Sequence, residues 1–196
     1  MRELSNNFLA DLKNGKGILH PILKRIQNDH TLMLAIRDGY VNVYYRGGNI
    51  LNVKEQHQRS YLASFDAKYN KSGKLLPVLP KTIQFQSDSE TWVDGFAHLK
   101  ETMDIFFASH NKPEREFQQL VARENNYSTV SNESEYFISD IEFAAPDLSA
   151  RFDLLAIRWL ASGRAKGSNC KASLMEMKYG DDALEGSAGI LKHLKD

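Results

Sequence analysis

The stretch Leu-Met-Glu-Met-Lys-Tyr at residues 174–179 places a carboxylate and an amine two positions apart in a run otherwise suited to a buried strand. Side chains alternate across a strand, so Glu176 and Lys178 share one face while Met175 and Met177 take the other. Charges removed from water are costly unless they pair, hydrogen-bond or meet a metal. A second acid, Asp153, stands near the start of another apolar run, Arg-Phe-Asp-Leu-Leu-Ala-Ile at 151–157. If 151–160 and 171–179 form a hairpin, the midpoint of the loop between them sets Asp153 opposite residues 176 to 178. An odd register then puts Asp153, Glu176 and Lys178 on one face. The turn at 144–150 likewise sets Asp140 and Glu142 beside Asp153 on its other side.

Two carboxylates a few ångströms apart raise one another's pKa unless a cation sits between them. Hard oxygen ligands, with no cysteine and no paired histidine, suit Mg²⁺ or Mn²⁺. A lysine at such a site can orient or help deprotonate a water, or stabilise the charge that develops at phosphorus. Metal-assisted phosphodiester hydrolysis needs this set of groups. The same residues also suit an ion-pair ladder on the outer face of a hairpin, and residue types and spacing leave both readings open.

The elements that must position these residues are legible as patterns. Residues 5–28 read as two short helices broken near Asn-Gly-Lys-Gly, with Pro21 early in the second. Alternating runs at 32–37, 40–45 and 50–56, separated by Asp38-Gly39 and by Arg-Gly-Gly-Asn, predict a β-meander. Gly47-Gly48 is followed by neither a helix signal nor Lys-Ser/Thr, so it reads as a turn rather than a phosphate loop. Residues 60–70 suggest a further strand, and the proline-containing stretch 71–87 a loop and a candidate boundary. Ser87-Asp88-Ser89-Glu90 has the form of a capping box, and Trp92, Phe96, Leu99, Met103 and Phe106 follow at helical spacing. A second helix is expected from Pro113, with Phe117, Leu120 and Val121 as its apolar stripe. Strands follow at 136–143, 151–160 and 171–179, then a helix over 182–195.

Apolar residues make up 42% of the 196-residue chain and charged residues 26%, values of an ordinary globular domain with a real core. The net charge of zero argues against an indiscriminate, strongly basic nucleic-acid binder, though not against a local basic patch. Arg158, Arg164, Lys166 and Lys171 gather around the 160–170 loop, where they can track a phosphate backbone or simply be solvated. The single cysteine, Cys170, excludes an internal disulfide and a cysteine-based zinc site. The start carries no apolar leader, and no apolar run approaches the roughly 20 residues that span a bilayer. We therefore expect a cytoplasmic protein with no membrane contact.

The order Asp153, 22 intervening residues, then Glu176-Met177-Lys178 resembles the PD-(D/E)XK (restriction-endonuclease-like) nuclease superfamily. So does the element order from 113 onward: helix, three strands, helix. The stretch 113–195 also resembles an uncharacterised bacterial family of that class; the resemblance says little about residues 1–110. It implies an α/β (α+β) fold with a mixed central β-sheet flanked by helices, the nuclease-like core lying at 111–196; the alternating runs add to it an N-terminal β-meander extension with helices at 1–110. It implies a metal-dependent nuclease acting on DNA, or on RNA, in which Asp153 and Glu176 hold Mg²⁺ or Mn²⁺ and Lys178 acts on the attacking water. A glutamate of the first core helix often completes such sites. Glu114, Glu116 and Glu124 are the candidates, and Glu114, which precedes Phe-Gln at the usual spacing in such helices, is preferred. Each also fits a solvated acid, and an acid in the first turn is favoured by the helix dipole. Lys192 and His193 can face a phosphate backbone, or compensate the last helix's dipole. The superfamily's closing strand has no counterpart after that helix. Either the chain belongs to a longer protein, or an N-terminal strand or a partner, including a second copy in a homodimer, fills the open edge. The alternative function is a non-catalytic binding or assembly module that keeps the nuclease fold.

Overall fold

A computed structural model describes residues 2–57, 59–71, 73–145, 150–166 and 170–177, the side chains of 144, 145, 150, 151 and 166 excepted. Its architecture is mixed α+β: among the described residues, four α-helices and two antiparallel sheets. The chain divides into two compact units, 1–111 and 112–196. The sequence reading expects a mixed central sheet; every strand pairing among the described residues is antiparallel, and each unit carries its own sheet.

In the first unit, helices α1 (Asn6–Lys13) and α2 (His20–Gln27) precede a five-stranded meander in sequential order. Its strands are β1 (Leu32–Ile36), β2 (Tyr40–Tyr45), β3 (Gly48–Glu55), β4 (Tyr61–Ser64) and β5 (Thr82–Ile83). The two-residue loop Arg46-Gly47 has φ of 49° and 69°, the left-handed pair that matches the twist of a tight hairpin. Between Val43 and Tyr44 the register slips, because β3 carries Ile50 as an extra residue. That bulge lets Ile50 and Leu51 both be buried, although consecutive strand residues normally face opposite sides.

Helix α3 (Gln86–Ser109) starts one residue before the expected cap at Ser87. Asp88 Oδ2 accepts the backbone N–H groups of Gln84 and Phe85, both at 2.9 Å, so Asp88 secures the entry to the helix. Its stripe of Trp92, Phe96, Leu99 and Met103 is fully or almost fully buried and joins Val41, Val43, Leu51, Val53 and Ile83 in one core with Phe8 and Ile22. Each such side chain contributes roughly 1.5–3 kcal/mol by leaving water. No helix among the described residues is long and apolar enough to cross a membrane.

Two carboxylates tie this unit together. Asp29 accepts from Lys100 Nζ at 2.6 Å, from Thr31 Oγ1 at 2.6 Å and from Arg25 at 3.1 Å. Burial pushes its carboxyl up, but the Lys100 ammonium and the Thr31 hydroxyl outweigh it and pull the pKa down to about 2. For Asp11 too, burial is outweighed, by Arg59 and Tyr61, and its pKa is lowered. A carboxylate with a depressed folded-state pKa adds stability that is complete above its unfolded value and lost as pH falls through its folded value. Denaturant midpoints should therefore be level down to about pH 4, then fall steeply toward pH 2. Asp29→Asn should lower the plateau and flatten that fall; an unchanged slope would remove Asp29 as its cause.

Candidate active site

The second unit comprises helix α4 (Pro113–Tyr127) and strands β6 (Tyr136–Ala145), β7 (Ala150–Arg158) and β8 (Lys171–Met175), in the order β6-β7-β8. Pro113 at the first helical position and the acids Glu114 and Glu116 in the first turn start α4 as helix-end chemistry favours.

The helix is oriented opposite to the sequence expectation. It buries Gln118, Gln119 and Ala122, while Phe117 and Val121 are 40% and 36% exposed. The reason lies in β6, which stands at an edge of the three-stranded sheet and needs partners for its outward backbone groups. Asn126 supplies both kinds: its Nδ2 donates to Ile138 O at 2.7 Å and its Oδ1 accepts from Ile138 N at 3.0 Å. Asn125 Nδ2 donates to Tyr136 O at 2.8 Å. Satisfying these groups turns the amide face of α4 inward.

The register of the sheet locates three carboxylates. Ile141 pairs with Leu154 and Phe143 with Phe152, and the ladder skips Glu142 and Asp153, which lie between those pairs. Leu154 pairs with Met175, the last pair of β7 and β8. Glu142 and Asp153 thus lie at neighbouring positions of β6 and β7, and Glu176 follows the last residue of β8. Asp140 pairs with Leu155, is buried, and accepts from Ile141 N at 2.8 Å.

Asp153 is held on both oxygens. Gln118 Nε2 donates to Oδ1 at 2.8 Å, and the backbone N–H of Met177 donates to Oδ2 at 2.7 Å. The orientation of the Gln118 amide is fixed by chemistry, because an ionised carboxylate can only accept. Its other end, Oε1, is buried with no hydrogen-bond partner among the described residues, on a residue only 3% exposed. Such an orphan costs about 1–3 kcal/mol unless a donor or a cation meets it. One turn from Gln118 on the same face of α4, Arg115 pairs with Glu142 at 2.7 Å. Glu142 itself has φ of 51°, a left-handed conformation for a non-glycine residue inside a strand.

The other sequence candidates are placed as follows. Glu114 is exposed in the first turn of α4; the helix residue that reaches Asp153 is Gln118, one turn further on. Glu116 is half-buried, and Glu124 is exposed and pairs with Arg123 at 2.9 Å. Arg164 is spent on structure rather than on a phosphate: it donates to the carbonyls of Trp159, Ser131, Ser134 and Tyr136 and lies over the Trp159 ring. Its guanidinium thereby ties the tight helical turn at Ala161–Lys166 to the start of β6. Arg158 pairs with Glu135 at 3.0 Å, and Lys171 is exposed. Lys178, Lys192 and His193 lie outside the described residues, as does the side chain of Lys166.

Sequence reasoning passed over Gln118 and Arg115. The available signal was their spacing of three on a helix whose other acidic and amide residues are also polar; the apolar Phe117 and Val121 drew the inward face to the wrong side.

The donor set suits a hard divalent cation. Asp153, Glu176 and the orphaned Gln118 carbonyl are all oxygen donors. Among the described residues no three acidic, histidine or cysteine side chains come close enough to cage a metal. Against protein-family models, curated proteins and solved structures, the chain has no match.

Proposed function

We propose that the second unit hydrolyses phosphodiester bonds in DNA, using Mg²⁺ or Mn²⁺ at Asp153 and Glu176, on a PD-(D/E)XK-like core extended by the N-terminal meander. The observation that carries this reading is Asp153, held on both oxygens by Gln118 and the Met177 N–H next to Glu176, with the Gln118 carbonyl buried and unpartnered beside it. A carboxylate beside an orphaned carbonyl favours a cation, and Asp153 stands on a strand, which holds a ligand more precisely than a loop does.

Asp153 and Glu176 would hold the cation, with Gln118 and the Met177 N–H fixing the Asp153 carboxylate in one orientation. A divalent cation bound there supplies Lewis-acid polarisation of the phosphate and a nucleophile at neutral pH. Lys178 is assigned to the attacking water and to the charge that develops on the phosphate, the role the sequence pattern implies. As the water oxygen bonds to phosphorus and gives up a proton, the opposite P–O ester bond breaks and the departing oxygen takes up a proton from solvent, leaving a phosphomonoester and a free hydroxyl.

The test is cleavage of supercoiled plasmid and of single-stranded DNA with Mg²⁺ or Mn²⁺, wild type beside Lys178→Ala. Nicking or linearisation that stops with chelator and falls by two orders of magnitude or more in Lys178→Ala supports the reading. An inert wild-type chain that binds no metal by calorimetry would overturn it.

A second reading is favoured by one specific observation: both oxygens of Asp153 already accept protein hydrogen bonds, as a purely structural aspartate would. On that reading the unit is a binding or assembly module on the same core. It predicts a folded, inert protein indifferent to divalent cations.

A further inference from the structure

We propose that the outward face of α2, together with the turn before it, docks the phosphate backbone of duplex DNA through Lys13, Lys16 and Lys24. The choice of DNA over another polyanion rests on the nuclease reading above; the surface itself rests on the first unit alone.

The chain as a whole is neutral, but residues 6–28 are not. They hold Lys13, Lys16, Lys24 and Arg25 against a single acid, Asp11. Asp11 is fully buried and paired with Arg59, and Arg25 is spent on Asp29 at 3.1 Å. The charges that this segment leaves in water are therefore all positive. Lys13, Lys16 and Lys24 are exposed and enter no ion pair among the described residues.

The fold gathers them. Lys13 ends α1, and the turn after it is tight: Gly17 N donates to Asn14 O at 2.7 Å and Leu19 N to Asp11 O at 3.1 Å. Gln86 Nε2 steadies that turn by donating to Gly15 O at 3.1 Å. His20 opens α2 and meets Leu12 O through Nδ1 at 3.1 Å; a carbonyl only accepts, so Nδ1 carries the proton. The start of α2 thus lies beside the end of α1. On α2 the buried residues are Ile22 and Ile26. At about 100° per residue, His20, Lys24, Gln27 and Asn28 fall within about 100° of arc on the opposite side. Lys24, Gln27 and Asn28 are exposed, and His20 is half-buried.

Ammonium groups and side-chain amides are the groups that meet phosphate oxygens on a duplex, where they fix orientation without reading sequence. A duplex presents a phosphate charge about every 1.7 Å of its axis, a continuous target for unpaired lysines. An exposed helix face is convex, so it suits an extended polyanion better than a small anion, which binds in concave sites.

The test is fluorescence anisotropy of a labelled duplex oligonucleotide with the full chain, in chelator and over a series of salt concentrations. Lys13→Gln/Lys16→Gln/Lys24→Gln is compared with wild type and with Lys54→Gln/Lys81→Gln/Lys112→Gln, which removes three other exposed lysines. Surface substitutions of this kind leave the fold intact. The first triple variant should bind at least about tenfold more weakly and flatten the slope of log affinity against log salt by about 2–3, close to one per lost phosphate contact. The second should stay within about threefold of wild type. Wild-type affinity and slope in the first variant, or equal weakening in both, overturns the inference. So does a wild-type chain that binds no duplex, including one whose lysines bind only phosphatidylglycerol vesicles. Plasmid cleavage with Mg²⁺ separates the two readings. A chain that binds DNA through these lysines and never cleaves it keeps the surface and loses the nuclease; one that cleaves normally as the first triple variant, with unchanged DNA binding, keeps the nuclease and loses the surface.

Discussion

Asp153→Asn is expected to lower DNA cleavage by about three orders of magnitude while leaving the chain folded. Asp153 is the point where α4, β7 and the end of β8 meet. The substitution removes a negative ligand from beside the cation, and a thousandfold loss corresponds to about 4 kcal/mol of transition-state stabilisation. Its structural cost is smaller. Asparagine keeps one acceptor oxygen for the Met177 N–H, and its amide can donate to Gln118 Oε1 once the Gln118 amide turns over. Replacing two charge-assisted hydrogen bonds by neutral ones costs about 1–2 kcal/mol. Cleavage assays and circular dichroism on the same preparation separate these effects. Full activity in Asp153→Asn would remove Asp153 from the chemistry. A stability loss in a protein that never cleaved DNA would fit the binding-module reading instead.

How far the sequence reached follows from which forces it displays. Turn chemistry is local, so Asp38-Gly39 and the Arg46-Gly47 pair mark their hairpins directly, and the helical spacing of Trp92, Phe96, Leu99 and Met103 marks the buried stripe of α3. The register of the β7–β8 hairpin is also readable, because a hairpin's midpoint constrains it, and the register observed pairs Leu154 with Met175. The inward face of α4 was not readable. Which side of that helix is buried depends on the unsatisfied edge of β6, a tertiary demand that a hydrophobic pattern does not encode. Neither was the bulge between Ile138 and Asp140, nor the left-handed Glu142, because a single extra residue in a strand leaves no compositional trace. For the same reason Arg164 reads as a surface cation in sequence and proves to be a brace for four carbonyls.

The largest expected loss of stability comes from a residue with no side chain, Gly17→Ala. Gly17 is buried in the turn between α1 and α2, and its φ lies outside the left-handed region, so alanine is conformationally allowed there. The obstacle is space. A Cβ on Gly17 would lie 2.7 Å from both the carbonyl carbon and the Cα of Asp11, and closer still to the Asp11 oxygen. These are backbone atoms, and Asp11 cannot yield. Its Oδ2 takes the Tyr61 hydroxyl at 2.6 Å and Arg59 Nε at 3.1 Å, its other oxygen meets Arg59 again, and its carbonyl accepts Leu19 N at 3.1 Å. Making room for one methyl group therefore means breaking the junction that ties α1 to the loop before β4 and to the start of α2. We expect a loss of about 3–5 kcal/mol in urea unfolding, a large share of the 5–15 kcal/mol that stabilises a typical domain. Gly39→Ala is the opposing case: nothing lies within 4 Å of its Cβ position, but its φ is 72°, so only the left-handed penalty of roughly 1–2 kcal/mol applies. If the two substitutions cost the same, the tight packing of Gly17 on Asp11 is not what holds the turn.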